Sequence, residues 1–143
     1  MTSARMGRQY IEEARGRLAL VHLAVERRLW AATVREAQEC VELFLKGALR
    51  LVAVEPARTH DVAAALRSEA ARFPAWFRSS IEALAAISTK LAGDRGPAFY
   101  GDEGRELGPQ ELFDEEDART AMRSAELVAQ LCARLLSEAG AHQ

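Results

Sequence analysis

The feature that most constrains this chain is a long apolar pattern that begins at residue 30. Its members recur at alternating three- and four-residue spacing: Trp30, Val34, Ala37, Val41, Phe44, Ala48 and Leu51. This spacing places them on one face of an α-helix, because the helix repeats every 3.6 residues. The sequence therefore predicts a second helix over residues 30–54, preceded by a first helix over residues 8–27 with similar periodicity.

The second half of this helix is apolar on nearly all sides. Its polar residues form only a narrow seam, which consists of Arg35, Glu39, Glu42, Lys46 and Arg50. Within the seam, Glu42 precedes Lys46 by four residues, the order that favours an ion pair. So apolar a helix must be either central in its bundle or covered by another subunit. Because we expect no fully enclosed member in a bundle of four or five helices, the pattern predicts a homodimer interface through helix two, around Cys40 to Val54.

The middle of the chain carries two further helical patterns and one irregular stretch. Pro56 is expected to end helix two, and Thr59 is a suitable N-cap for helix three. Helix four is predicted from about residue 75, with Gly93 ending it. Residues 93–113 are expected to form a long loop, of a length that is uncommon in compact domains and tends to be functional.

The last helix is predicted to start at Asp114, an N-cap followed by three acids that suit the helix dipole. With 143 residues, of which 49% are hydrophobic and 28% charged, the chain has the size and composition of one globular domain. The sequence thus predicts an all-α, up-and-down bundle of about five helices, forming a single domain over residues 1–143.

Composition also limits the compartment and the partners. We find no signal-peptide pattern and no apolar run long enough to cross a membrane. Cys40 and Cys132 have no metal-like spacing, so reduced core thiols and a cytoplasmic location are expected. Residues 1–35 hold seven Arg against three Glu, whereas residues 93–117 hold nine acids against two Arg. A uniform basic face, typical of a dedicated nucleic-acid binder, is therefore excluded, while a local basic patch built from helix one stays open.

Three stretches together resemble the HEPN superfamily of small bacterial and archaeal helical proteins. They are the run from Trp30 to Lys46, Pro56 followed by Thr59-His60-Asp61, and Ala98-Phe99-Tyr100-Gly101-Asp102-Glu103 ahead of a final helix entered through acids. The resemblance spans nearly the whole chain. It implies a bundle with a short additional helix, homodimers, a nucleotide or RNA ligand, and often a partner nucleotidyltransferase in a toxin–antitoxin pair.

The resemblance also raises the question of ribonuclease activity. Many members of the superfamily are metal-independent ribonucleases with an Arg, a polar residue after it, and a His four to six residues after the Arg, on the later helices. Only Arg17 and His22 have this spacing here, but they lie on helix one and Leu18 follows the Arg. We interpret that match as chance and expect His22 to be a partly buried structural residue. His142 is set aside because it lies in the terminal tail.

His60 is the remaining candidate for catalysis. Metal-independent RNA cleavage needs a base that titrates near neutral pH and a cation that stabilises the phosphorane. His60 lies between Arg58 and Asp61 at the expected start of helix three, where the dipole favours an anion such as phosphate. These three residues are candidate ligand contacts. The alternative is that Thr59, His60 and Asp61 only cap the helix.

The expected loop adds Arg95 and Tyr100 as candidate ligand contacts, since glycine-rich backbone can hold phosphate. The loop lacks the Lys and Ser/Thr of a P-loop and is strongly acidic. The alternative is that Phe99 and Tyr100 pack it onto the end of the bundle. The acids of the loop that could bind a cation are Asp94, Asp102 and Glu103. They lack the regular spacing of a cation site, so neither a metal nor a cofactor is predicted.

The sequence leaves three functions open. The first is a HEPN-like homodimeric binding module that engages a protein such as a nucleotidyltransferase and holds a nucleotide or RNA near the candidate contacts. The second is a toxin-like, metal-independent ribonuclease that uses His60 with a nearby Arg. The third is a structural dimer without a small ligand. Whether the chain is an enzyme is left undecided.

Overall fold

The computed structural model describes residues 2–141, and side chains from residue 4 to 140, so His142 lies outside the described residues. The described residues form seven α-helices: α1 Thr2–Glu26, α2 Trp30–Leu51, α3 Ala63–Ser68, α4 Ala75–Arg78, α5 Ile81–Tyr100, α6 Pro109–Leu112 and α7 Glu115–Ala141. Four of them are long, and these four pack as an up-and-down bundle. The predicted all-α bundle is confirmed, with more short helices than expected.

Helix α2 lies at the centre of this bundle. It packs against α1, α5 and α7, whereas α5 and α7 touch each other only sparsely. Its apolar side chains are buried by these three neighbours; among them are Cys40, Val41, Phe44, Leu45, Ala48 and Leu49. The stated reason for a dimer interface around Cys40 to Val54 is therefore wrong, because the chain itself buries most of these side chains, and the interface through this segment stays a prediction.

The closest helix contact is the crossing of α1 and α2 at Gly7 and Gly47. A Cβ atom added to Gly47 would lie 2.8 Å from Cγ1 of Ile11 and 2.9 Å from the Gly7 carbonyl oxygen. The backbones approach closely because neither glycine has a side chain. Further along the same interface, the Cys40 thiol donates to the Ala14 carbonyl at 3.3 Å. Cys40 and Cys132 are both buried free thiols, as predicted.

The segment after α2 differs in detail from the sequence prediction. Helix α2 ends at Leu51, and Ala53 adopts a φ of 66°. Thr59 is not the N-cap of the third helix, because α3 begins only at Ala63. The capping acceptor is Asp61, whose Oδ1 receives the backbone N–H of Ala63 at 2.9 Å. Since α3 has only six residues and starts three positions beyond His60, the helix-dipole argument for an anion at His60 does not hold.

The predicted end of a helix at Gly93 is also wrong, and the long loop is much shorter than expected. Helix α5 continues through Gly93 to Tyr100 and ends at Gly101, which has a φ of 74°. That conformation favours glycine, and a Cβ there would lie 2.2 Å from the Leu107 carbonyl oxygen. Pro97 is tolerated in the last turn of α5, and its carbonyl accepts the N–H of Gly101 at 2.8 Å.

The remaining connection, residues 101–108, folds back on itself through paired backbone hydrogen bonds between Asp102 and Leu107. The predicted start of the last helix is confirmed. Oδ1 of Asp114 accepts the N–H of Asp117 at 2.9 Å, and Oδ2 of Asp117 accepts the N–H of Asp114 at 3.0 Å. Within the described chain, no helix combines the length and apolar character that spanning a membrane requires.

Candidate functional site

The polar seam of α2 forms one wall of a groove that we call the α2 groove. It is a cavity of about 250 Å³. Its lining comes from α1, α2, the connection before α3 and α5: Arg17, Glu39, Glu42, Leu43, Lys46, His60 and Arg95. The fold therefore brings His60 and Arg95 together, although 35 positions of the sequence separate them.

One half of the groove is organised by the carboxylate of Glu42. It accepts hydrogen bonds from Gln38 Nε2 at 2.8 Å, from Lys46 Nζ at 2.9 Å and from His60 Nδ1 at 2.8 Å. The predicted Glu42–Lys46 ion pair is confirmed. Burial raises the pKa of Glu42, but the hydrogen bonds from Lys46, Gln38 and His60 together outweigh burial, so the net pKa is lowered. Glu42 is thus an ionised acceptor that orients the imidazole.

His60 is held by one nitrogen and open at the other. An ionised carboxylate can only accept a hydrogen bond. Nδ1 of His60 therefore carries a hydrogen and donates it to the Glu42 carboxylate. The His60 side chain is 56% exposed, and within the described chain Nε2 makes no hydrogen bond. This arrangement leaves Nε2 open to a molecule in the groove.

The other half of the groove is organised by Glu39, which lies among three arginines. Arg35 Nε donates to Glu39 at 3.0 Å, and Nη1 atoms of Arg17 and Arg95 each lie 3.6 Å from its carboxylate oxygens. Arg35 also donates from Nη1 to the backbone carbonyl of Arg95 at 2.8 Å. Arg95 is therefore fixed from α2 through both its backbone and its guanidinium.

Gln38 connects the two halves. Its side chain is 2% exposed; Nε2 donates to Glu42, and Oε1 accepts from Arg95 Nη1 at 2.6 Å. A continuous chain of hydrogen bonds therefore runs from His60 to Arg95. Among the lining residues, three permanent cations face two carboxylates, and Glu13, outside the lining, also lies 3.8 Å from Arg17. An anion in the groove would share these cations with the carboxylates.

Asp61 has a structural role and does not line the groove. Besides capping Ala63, its carboxylate accepts from Ser88 Oγ at 3.2 Å and from Thr89 Oγ1 at 2.9 Å. Burial raises the pKa of Asp61, but hydrogen bonds from Ala63, Thr89 and Ser88 outweigh it and lower the pKa overall. Asp61 thus ties the connection before α3 to α5, which holds the neighbouring His60 beside α2.

Arg58 and Tyr100, the other candidate contacts, lie outside the groove. Arg58 lines an adjacent cavity of about 230 Å³, which shares Lys46 with the groove. Tyr100 is 67% exposed at the end of α5, with Phe99 packed edge-on beside it. The expectation that Phe99 and Tyr100 pack onto the bundle is therefore wrong. Phe99 lies under the Arg35 guanidinium, 5.1 Å from its Cζ atom.

The sequence match between Arg17 and His22 does not correspond to a spatial pair. Arg17 contacts Glu39 in the groove, whereas Nε2 of His22 lies 3.1 Å from Glu126 on α7. His22 is exposed, so the expectation of a partly buried residue is wrong. The described side chains include no cluster of three suitable metal ligands, and the acids near the end of α5 form none.

Most residues of the groove are not predicted from the sequence, because the polar seam of α2 has the pattern of a solvent-exposed strip. The missed groove residues are Arg17, Gln38, Glu39, Glu42 and Lys46, with Arg35 behind them. One signal is available in the sequence: polar residues at helical spacing on a helix that is otherwise buried must find partners or a ligand.

A buried central helix with one polar seam, flanked by three long helices, defines a class of small all-α bundles with a groove beside the central helix. The chain belongs to the HEPN domain family, whose model matches residues 8–135. Its fold is similar to the crystal structure of TT1696 from Thermus thermophilus, with 20% sequence identity and a TM-score of 0.70. That match covers 91% of this chain and 98% of the other. A search of curated proteins finds no significant match.

Proposed function

We propose that this chain is a homodimeric HEPN-type binding module whose α2 groove holds the phosphate of a nucleotide or of RNA. The observation that carries the proposal is the convergence of Arg17, Lys46, His60 and Arg95 in one groove. These residues come from separate elements, and a buried glutamine positions the Arg95 guanidinium. A phosphate oxygen is the anion that matches a guanidinium fork beside an imidazole.

Direct binding measurements test this proposal. Arg95→Gln removes the cation but keeps a polar side chain, and it should weaken binding of labelled single-stranded RNA or a nucleoside triphosphate roughly tenfold or more. Arg119→Gln is the matched control, since among the described residues Arg119 pairs only with Glu115, on the surface of α7. Equal binding by both variants would place the ligand elsewhere. Arg58→Gln reports whether the ligand reaches the adjacent cavity.

The protein partner is the second part of the proposal. HEPN domains often dimerise, and the resemblance implies a nucleotidyltransferase as the further partner, in a toxin–antitoxin arrangement. Two buried free thiols suit a reducing, cytoplasmic setting for such a complex. Purification of the tagged chain from its native cells, followed by mass spectrometry, tests this part. Recovery of the chain with no nucleotidyltransferase would contradict it.

A ribonuclease is the alternative that one specific observation favours, namely the His60–Glu42 pair beside Arg95. In that reaction Nε2 takes the proton of the 2′-hydroxyl, and the 2′-oxygen then attacks phosphorus. The bond to the 5′-oxygen breaks and that oxygen takes a proton from water, which leaves a 2′,3′-cyclic phosphate and a 5′-hydroxyl end. The groove arginines stabilise the charge of the phosphorane.

Incubation of mixed RNA in EDTA separates the enzyme from the binding module. The ribonuclease predicts cleavage by the wild type that His60→Ala abolishes and that His22→Ala retains. His22 is the matched control because it is also an exposed histidine paired with a glutamate. No cleavage by the wild type, or equal cleavage by His60→Ala, would eliminate the ribonuclease and leave the binding module.

A further inference from the structure

The outer face of α1, turned away from α2, carries an uncharged strip in the middle of an otherwise charged surface. It consists of Gly16, Ala19, Leu20 and Leu23, which we call the outer strip. Leu20 is 44% exposed and Leu23 is 45% exposed. Exposed leucines at adjacent helical positions form an apolar patch, and such patches on soluble proteins mark interaction sites.

The strip is bounded at each end by one charged residue of opposite sign. Glu12 lies one turn before Gly16, and Arg27 lies one turn after Leu23. Both side chains are exposed, and neither makes an ion pair or side-chain hydrogen bond within the described part of the chain. Other exposed charges are paired, such as Arg67 with Glu82 and Lys90 with Asp94, whereas Arg15 and Glu26 of α1 are like Glu12 and Arg27 in having no such pair among the described residues.

The order of residues along the strip is symmetric about its centre. From Glu12 to Arg27 the steps are four, three, one, three and four residues. When two copies of α1 lie antiparallel with their centres together, Leu23 of each copy therefore faces Gly16 of the other. Glu12 faces Arg27, and at the centre, where Ala19 and Leu20 lie about 100° apart around the helix, the two copies of Leu20 lie side by side. Leu23 then meets a residue without a side chain, and each charge meets its opposite.

Gly16 supplies an independent reason to expect a partner here. It lies in the interior of α1, where glycine weakens a helix relative to alanine. A Cβ atom at Gly16 would meet nothing within 4 Å, so packing inside the chain does not require glycine. Close approach of a second backbone or of a large side chain would require it.

We propose that the outer strip is the surface through which a second copy of this chain docks, with the two α1 helices antiparallel. The inference rests on the proposed homodimer and moves its interface from α2 to α1. Two-fold symmetry makes each contact occur twice, so the ion pair between Glu12 and Arg27 forms at both ends of a strip roughly 22 Å long. Arg17, which α1 contributes to the α2 groove, lies about 100° around the helix from Gly16 and about 60° from Leu20, so it borders the outer strip without belonging to it.

Sedimentation velocity of matched glycine variants tests the surface. Gly16→Leu should raise the dissociation constant of the dimer by about tenfold or more, because the new side chain occupies the space of Leu23 from the second copy. Gly93→Leu is the control: Gly93 is also an interior helix glycine with nothing within 4 Å of an added Cβ. It should leave the constant within about twofold. Circular dichroism confirms that both variants fold.

Charge reversal supplies a second test that does not depend on Gly16. Arg27→Glu places like charges together twice and should weaken the dimer about tenfold, whereas the double variant Glu12→Arg with Arg27→Glu should return to within about threefold of the wild type. If the wild type is a dimer and neither set of variants changes its dissociation constant, the proposed α1 surface is wrong but the homodimer stands. A wild type that stays monomeric would overturn both, whereas binding in the α2 groove is tested separately by Arg95→Gln.

Discussion

The two faces of α1 use the same residue type in opposite ways. On the inner face, Gly7 meets Gly47 of α2 so closely that a Cβ on Gly7 would lie 2.7 Å from the Gly47 carbonyl oxygen. On the outer face, Gly16 has open space where its side chain would be. The inner glycine is explained by contacts within the chain, and the outer one is not. The structural role of a glycine can therefore be judged only from the atoms that lie opposite it.

Among the substitutions that test this comparison, the largest loss of unfolding free energy is expected on the inner face. Ile11 is fully buried and packs on Gly47. Ile11→Ala should lower the free energy of unfolding by about 3 kcal/mol, because it removes buried methylene groups and leaves a cavity. Urea denaturation of the dilute chain measures the change. The control is Leu20→Ala on the outer strip, which should cost well under about 1 kcal/mol.

Similar losses for Ile11→Ala and Leu20→Ala would break the comparison. They would mean that the outer strip is buried in the folded chain even at low concentration. The structure predicts instead that the two losses differ severalfold, since one side chain is enclosed and the other is 44% exposed.

The second effect comes from adding a single methyl group at the crossing. Gly47→Ala should destabilise the chain by about 2 kcal/mol, because α1 and α2 must move apart and this outweighs the gain in helix propensity. A stabilised Gly47→Ala would show that the two helices are not in close contact. Thermal unfolding with Gly93→Ala as the control separates the clash from the propensity, since Gly93 has open space around it.

The third effect has the opposite sign and is smaller. Gly16→Ala should stabilise the dilute chain by about 1 kcal/mol, because alanine is a better helix former and nothing obstructs its methyl group. Denaturant unfolding at low protein concentration measures this. A loss of stability there would mean that Gly16 is enclosed by the chain itself and would remove the contrast between the two faces.

Much of this architecture is predictable from periodicity. The stripes of α1, α2 and α7 fix which sides are buried, and the cap at Asp114 is where the acids suggest. What periodicity cannot supply is the number of neighbours around a helix. The apolar pattern around α2 is the same whether a second chain or the helices α1, α5 and α7 cover it. The pattern alone therefore suggests a dimer interface, although the three helices of the same chain already pack on α2.

The errors around α5 and the groove have a related cause. Gly93 can end a helix or continue one, and tertiary contacts decide: Arg35 binds the carbonyl of Arg95, and Ala98 is buried. The groove itself depends on pairs distant in sequence, such as Gln38 with Arg95. Residue type alone makes His60 and Arg95 candidate contacts, but only the fold places them in one cavity with Lys46.

The smallest expected effect concerns the charge at the end of the outer strip. Arg27 follows the last turn of α1, where a cation interacts favourably with the helix dipole. Arg27→Gln should therefore lower the stability of the dilute chain by only about 0.3 kcal/mol. Arg15→Gln, an exposed position in the middle of the same helix, should change it even less. A loss above about 1 kcal/mol for Arg27→Gln would mean that Arg27 already has a partner in the monomer. The outer face would then lack the unpaired charge that a second copy needs. Like the inner face, it would have its contacts within the same chain.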